Sequence, residues 1–182
     1  MRTTLQSDII IAGGGIAGIV AAREALRAGK SVTIVDKDSQ ERLGGLALWA
    51  FGGMALVGTP LQARLKIPDT PERALADWLR FGQLGEDHHW PRAWARYYVE
   101  HSRSEVYDWL TSHGLTFMPA INWVERGMNG DGNSLPRYHM VWGTSRLLVQ
   151  TLIAAMRAAD SGGRLKVLHR HRIESIDHAG GA

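Results

Sequence analysis

The chain has 182 residues, of which 45% are hydrophobic and 21% charged, and its formal net charge is +3. This balance is typical of a folded globular protein of about one domain. The absence of Cys excludes a disulfide framework, a thiolate nucleophile and a Cys-ligated metal site, and it fits a cytoplasmic protein. Because apolar runs are short and basic residues alternate with acidic ones, we predict no membrane span and no nucleic-acid partner.

The first part of the chain predicts a compact βαβ unit. Residues 8–12 are apolar and mostly β-branched, which is typical of a buried parallel strand. Residues 16–28 carry apolar side chains at helical spacing, and residues 31–36 predict a second buried strand. Because such crossovers are right-handed, we expect the two strands to be parallel neighbours.

The remaining elements are predicted from periodicity and from helix-ending residues. Helices are predicted over residues 71–82, 91–113 and 144–159, and strands over residues 165–168 and 172–177. The aromatic residues of the second helix, at helical spacing, are expected in the core.

A glycine-rich turn separates the first strand from the first helix. It has the pattern Gly13-x-Gly15-x-x-Gly18. Gly13 permits a sharp turn, Gly15 lets a diphosphate approach the backbone, and Gly18 lets the helix pack close to the sheet. The N-terminus of the helix then offers unpaired amide groups and a partial positive charge to the phosphates. The turn therefore predicts a dinucleotide site.

An acidic residue, Asp36, ends the second strand, where a carboxylate accepts hydrogen bonds from the ribose hydroxyls of a bound adenosine. A carboxylate here disfavours a 2′-phosphate, so NADP is not expected, whereas NAD and FAD both remain open. The glycine pairs Gly44-Gly45 and Gly52-Gly53 then flank an apolar stretch. They either lie flat against a ligand or form ordinary turns around a buried strand.

Taken together, the motifs of residues 8–18, Asp36 and the two glycine pairs resemble the succinate dehydrogenase/fumarate reductase flavoprotein superfamily. Residues 133–144 resemble the return of that superfamily's chain to its FAD domain. Residues 86–92 resemble the ketosteroid-dehydrogenase-like subgroup of bacterial FAD-binding dehydrogenases.

The resemblance implies an α/β, Rossmann-like FAD-binding domain of the glutathione-reductase type, with a helical insertion and truncated before the capping domain. Residues 1–60 would form the dinucleotide-binding segment, residues 61–136 the insertion, and residues 137–182 the return helix and strands. The implied activity is an oxidoreductase reaction on a CH–CH bond, with hydride transfer to or from flavin N5 and a small-molecule, ketosteroid-type substrate. An FAD- or ADP-binding fragment without turnover is an alternative, as is an amine oxidase or hydroxylase type of flavoprotein.

The resemblance also assigns cofactor contacts. The residues implied are Gly13, Gly14, Gly15, Ile16, Ala17 and Gly18 for the diphosphate, Asp36 with Lys37 beside it for the ribose, Gly44, Gly45 and Leu46 for the centre of FAD, Gly52, Gly53 and Met54 for the flavin ring, and Arg172 and Ile173, through the backbone, for adenine. Respiratory members carry a His that bonds covalently to FAD where this chain has Leu46, so FAD is expected to be non-covalent.

The family's catalytic acid and base would lie beyond Ala182, so no catalytic residue is assigned, and no metal is expected. Arg137 and His139 lie in the loop that re-enters the domain. They would either face the flavin or substrate or hold that loop, and the structural role is favoured.

Overall fold

The structure is a computed structural model of the chain that describes residues 4–127 and 131–177. It divides into two compact units. The first unit is formed by Met1–Ala50 with Ser145–Ala182, and the second by Phe51–Thr144. The division into segments 1–60, 61–136 and 137–182 remains a prediction about domains.

Eleven regular α-helices and β-strands are present in the described part of the chain. In order, they are β1 (Ile9–Ala12), α1 (Ile16–Arg27), β2 (Val32–Val35), β3 (Gly53–Ala55), α2 (Pro60–Arg64), α3 (Pro71–Phe81), α4 (His89–His101), α5 (Trp109–Ser112), β4 (Tyr138–Met140), α6 (Thr144–Ala158) and β5 (Leu165–Leu168). A π-helical stretch, Ser102–Asp108, joins α4 to α5, so the long helix predicted for this region is interrupted.

The first unit contains a three-stranded parallel sheet in the order β1-β2-β5. The predicted βαβ unit is confirmed. Helix α1 ends at Arg27, and Gly29, whose φ is +79°, follows its C-cap; the Lys30 amide closes the turn on the Ala25 carbonyl at 3.0 Å. The apolar residues that this unit buries on α1, β2 and α6 are Ile19, Ala22, Leu26, Val32, Ile34, Leu148, Val149, Leu152 and Met156.

Two details of the predicted strands are wrong. Strand β1 was expected to be buried, but Ile10 is 62% exposed, because β1 is the edge of the described sheet while β2 is its centre. Residues 172–177 alternate in polarity but form no strand. A strand requires a neighbouring strand to accept its ladder of hydrogen bonds, and the structure describes none for this segment.

The second unit packs α3 against α4 and contains a two-stranded antiparallel sheet in which Gly53 lies opposite Met140. The expectation that its helical aromatic residues are buried holds for only part of the set. Tyr98 packs edge-on against Trp78 with ring centroids 5.4 Å apart, but Trp94 is 68% exposed. Helical spacing identified a common face of α4 without establishing whether anything covers it.

A buried ion-pair network centred on Arg137 links the segments of the second unit. Two nitrogens of Arg137 each donate to Asp69 at 2.8 Å, and a third donates to Asp77 at 2.7 Å. All three side chains are at most 4% exposed. Although burial disfavours the Arg137 charge, the hydrogen bonds to Asp69 and Asp77 outweigh it and raise the Arg137 pKa.

His139 is also held by neighbours within the second unit. Its Nδ1 lies 2.6 Å from the Arg137 carbonyl oxygen and its Nε2 lies 2.8 Å from the Thr59 hydroxyl. Burial lowers its pKa. With both nitrogens engaged and the ring fully buried, the geometry gives His139, like Arg137, a structural role.

Acid is expected to weaken this unit through Asp77. Burial opposes its ionisation, but hydrogen bonds from Ser134, Arg137 and Arg80 outweigh burial and lower the Asp77 pKa from 3.8 to about 2. A carboxyl group whose pKa falls on folding stabilises the protein above its unfolded pKa, and this contribution is lost as pH falls through the folded value. We expect a loss of about 2 kcal/mol between about pH 4 and pH 2.

The measurement is the free energy of urea unfolding as a function of pH. Asp77→Asn should flatten the acid limb of this profile, because it removes the titrating group. Asp87→Asn is the matched control, because that side chain is 84% exposed. An Asp77→Asn profile as steep as that of the parent would contradict the prediction.

Candidate functional site

A cavity of about 600 Å³ opens in the first unit at the carboxyl ends of β1 and β2. Its walls come from residues 12–15, residues 35–38, Arg42, residues 45–46 and residues 171–173. In open parallel sheets, ligands bind outside the carboxyl ends of the strands. The cavity therefore lies where the sequence predicts a dinucleotide.

The glycine turn on one wall is fixed by backbone hydrogen bonds. Gly13 has a φ of +96°, and its amide donates to the Val35 carbonyl at 2.9 Å. The carbonyl of Gly14 accepts from the Gly44 amide at 2.7 Å. These bonds join the first glycine turn to the first glycine pair, so both are held at the same cavity.

Gly15 and Gly18 are glycines for different reasons. A Cβ at Gly18 would collide with the Gly13 carbonyl oxygen, so Gly18 permits the close approach of α1 to the turn. A Cβ at Gly15 would meet no protein atom within 4 Å, and the φ of Gly15, −75°, is accessible to any residue. Nothing in the described protein requires a glycine at position 15, which leaves open space beside the backbone for a ligand.

The entrance of α1 fits a diphosphate. The first four amides of a helix have no partner within it, and the helix dipole places partial positive charge there. The first turn of α1 carries no acidic residue, and its N-cap, Gly15, has no side chain to occupy those amides. Together with the space beside Gly15, this arrangement suits the anionic centre of FAD.

Asp36 connects the glycine turn with the segment that follows β2. Its side chain is buried, with Oδ2 accepting from the Gly14 amide at 2.5 Å and Oδ1 accepting from the Asp38 amide at 2.7 Å. A carboxylate offers about four acceptor positions. The remaining positions suit ribose hydroxyls, because Asp36 lines the cavity.

The predicted contact residues fall into three groups. Those that line the cavity are Gly13, Gly14, Gly15, Asp36, Lys37, Gly45, Leu46, Arg172 and Ile173. The second group does not line the cavity. It consists of Ile16, Ala17 and Gly18, which form the first turn of α1, and of Gly44, where a Cβ would collide with Val149. Which of these residues touch FAD remains a proposal.

The third group, Gly52, Gly53 and Met54, belongs to the second unit. Gly52 has a φ of +80°, and its carbonyl accepts from the Val141 amide at 3.0 Å. A Cβ at Gly53 would collide with the Tyr138 ring, so packing within the second unit already requires glycine there. Their contact with the flavin ring remains a prediction.

Sequence reasoning missed three polar residues of the cavity wall: Asp38, Arg42 and His171. His171 reaches the cavity because backbone bonds tie the turn after β5 to residues 36–38. The Arg170 amide donates to the Asp38 carbonyl and the His171 amide to the Asp36 carbonyl, each at 2.9 Å. The only sequence signal was that His171 precedes the predicted adenine contact Arg172.

Within residues 4–127 and 131–177, no group of three or more His, Cys, Asp or Glu side chains is placed to hold a metal ion. No helix in the same ranges has the length and apolar character needed to cross a membrane.

Sequence comparison finds relatives along nearly the whole chain. A KsdD-like steroid dehydrogenase of Mycolicibacterium smegmatis is 45% identical over 177 residues, covering 94% of this chain and 31% of that protein. A KsdD-like steroid dehydrogenase of Mycobacterium tuberculosis is 38% identical over 182 residues, covering 98% of this chain and 32% of that protein. The chain thus spans about a third of the length of these curated relatives.

Structure comparison finds the same fold. The 3-ketosteroid-Δ4-(5α)-dehydrogenase of Rhodococcus jostii RHA1 matches with a TM-score of 0.70 and 24% identity, over 93% of this chain and 38% of that one. The family profile described as "FAD binding domain" matches residues 8–182. These findings confirm the resemblance predicted from the motifs. The chain belongs to the FAD binding domain family, and its cofactor is FAD.

Proposed function

We propose that this chain is the cofactor-binding part of an FAD-dependent oxidoreductase that acts on a CH–CH bond of a ketosteroid-type substrate. One observation carries the proposal: the glycine turn, the free end of α1 and Asp36 converge on a single cavity. The 45% and 38% identical relatives are named steroid dehydrogenases, which supports this reaction class.

In this proposal each wall of the cavity has a separate task. The amides at the start of α1 bind the diphosphate, and Asp36 accepts hydrogen bonds from the ribose. The flavin, when bound, supplies two-electron redox chemistry that no side chain provides. Residues 52–54 would lie against the flavin ring.

Leu46 supports non-covalent binding. Its side chain lines the cavity and is 87% exposed, so it is placed to contact a ligand. A leucine side chain has no nucleophilic atom to bond to a flavin. The chain therefore depends on shape and hydrogen bonding to retain FAD.

The first test is the colour of the purified protein. We expect flavin absorbance near about 450 nm that survives desalting, and complete release of FAD into the soluble fraction after acid precipitation. Colour that stays with the precipitated protein would contradict non-covalent binding. A chain that binds neither FAD nor ADP would contradict the proposal as a whole.

The second test is turnover. When the cofactor-binding part is joined to a segment that carries the catalytic acid and base, a 3-oxosteroid should bleach the bound flavin under anaerobic conditions, or fumarate should reoxidise flavin reduced by dithionite. A coloured chain that responds to neither would support the alternative, an FAD-binding fragment without turnover. A cytoplasmic location remains a prediction.

A further inference from the structure

The turn after β5 is built into the same wall as Asp36. Backbone bonds at 2.9 Å join Arg170 to Asp38 and His171 to Asp36. His171 is exposed and lines the cavity together with residues 172–173. The segment is therefore fixed beside the acidic residue and is not a free tail.

The position of Asp36 orders the parts of a bound ligand along the cavity. Its side chain is bonded to the Gly14 amide at the glycine turn, and its carbonyl is bonded to the His171 amide on the other side. A dinucleotide that places its diphosphate at the turn and its ribose at Asp36 must place its base next, because base and ribose are covalently joined. The next wall is residues 171–173.

The hydrogen bond of the His171 ring determines which group it offers to a base. Nδ1 lies 2.7 Å from the His169 carbonyl oxygen. Because a carbonyl oxygen only accepts, Nδ1 must carry the proton, and the neutral ring therefore presents Nε2 as an acceptor. Within the part of the chain that the structure describes, Nε2 makes no hydrogen bond.

An acceptor at this position distinguishes between purines. Adenine carries an amino group at its 6 position, which donates hydrogen bonds, whereas hypoxanthine and guanine carry a carbonyl oxygen there. A lone pair facing that oxygen would be repelled and left unpaired. We propose that His171 selects adenine over 6-oxo purines by accepting a hydrogen bond from the adenine amino group. This inference rests on the proposed function of the cavity.

The test compares binding of ADP and IDP to the cofactor-free chain by calorimetry. At about pH 8 the parent should prefer ADP. His171→Phe keeps a planar ring but removes the acceptor, so the preference for ADP should fall about three- to tenfold. His89→Phe, an exposed histidine of the second unit, should leave the preference unchanged.

Both affinities of each variant are needed to separate recognition from folding. A folding defect would weaken ADP and IDP equally, whereas loss of the proposed hydrogen bond weakens ADP alone. An unchanged ADP-to-IDP ratio in His171→Phe, with ADP binding retained, would overturn the role of His171 but leave the proposed function intact. Failure of the parent to bind FAD or ADP would overturn both.

Discussion

Replacing Gly15 with Val is expected to weaken FAD binding at least about hundredfold, which corresponds to roughly 3 kcal/mol of binding free energy. The valine side chain would fill the open space beside the start of α1, where a Cβ meets no protein atom within 4 Å. A diphosphate could then no longer reach the backbone amides.

The same geometry predicts that Gly15→Val folds normally. The φ of −75° is accessible to valine, and its Cβ would meet no protein atom within 4 Å. Gly162→Val is the matched control, because Gly162 is in the same unit, and a Cβ there also meets nothing within 4 Å. FAD titration by flavin fluorescence, with circular dichroism as the fold check, measures both variants.

Two outcomes would count against the Gly15 prediction. Retained stoichiometric FAD in Gly15→Val would contradict the placement of the diphosphate. Equal loss of FAD binding in Gly162→Val would show that the effect is not specific to the cavity.

Replacing Arg137 with Met is expected to cost about 3–5 kcal/mol of unfolding free energy. Methionine fills much of the space of the arginine stem but leaves Asp69 buried without its counter-charge and leaves Asp77 with Arg80 as its cationic partner. For a chain of this length, the midpoint of thermal unfolding should fall by about 10 °C.

Thermal unfolding followed by circular dichroism tests this prediction. Arg96→Met is the control, since Arg96 is 64% exposed and pairs with Glu100 at 3.6 Å; such exposed pairs contribute less than about 1 kcal/mol. Adding Asp69→Asn and Asp77→Asn to Arg137→Met should recover part of the loss, because no unpaired buried charge would remain. Equal midpoints for Arg137→Met and Arg96→Met would refute the account.

The βαβ unit was predictable because its signals are local. The apolar spacing of α1, the glycine turn and Asp36 each lie within a few residues of the feature they specify. The exposure of Ile10 was not predictable in this way, because it depends on which strand lies at the edge of the sheet.

The missed parts of the site depend on contacts between distant segments. His171 enters the cavity wall through a backbone bond to Asp36, and no local pattern specifies that pairing. Arg137 presented a similar problem. Its chemistry alone suits either a substrate contact or a structural ion pair, and only the positions of Asp69 and Asp77 distinguish them.

The double attachment of the Asp36 carboxylate limits how this protein could change its cofactor. Preference for a 2′-phosphorylated nucleotide is usually gained by exchanging the acid at this point for a neutral or basic residue. Here that exchange would also release the amides of Gly14 and Asp38, which shape the glycine turn and the segment that follows β2. A substitution of Asp36 that changes the preference for the ribose would therefore also disturb the glycine turn. Evolution towards a different nucleotide would require compensating changes in the turn itself.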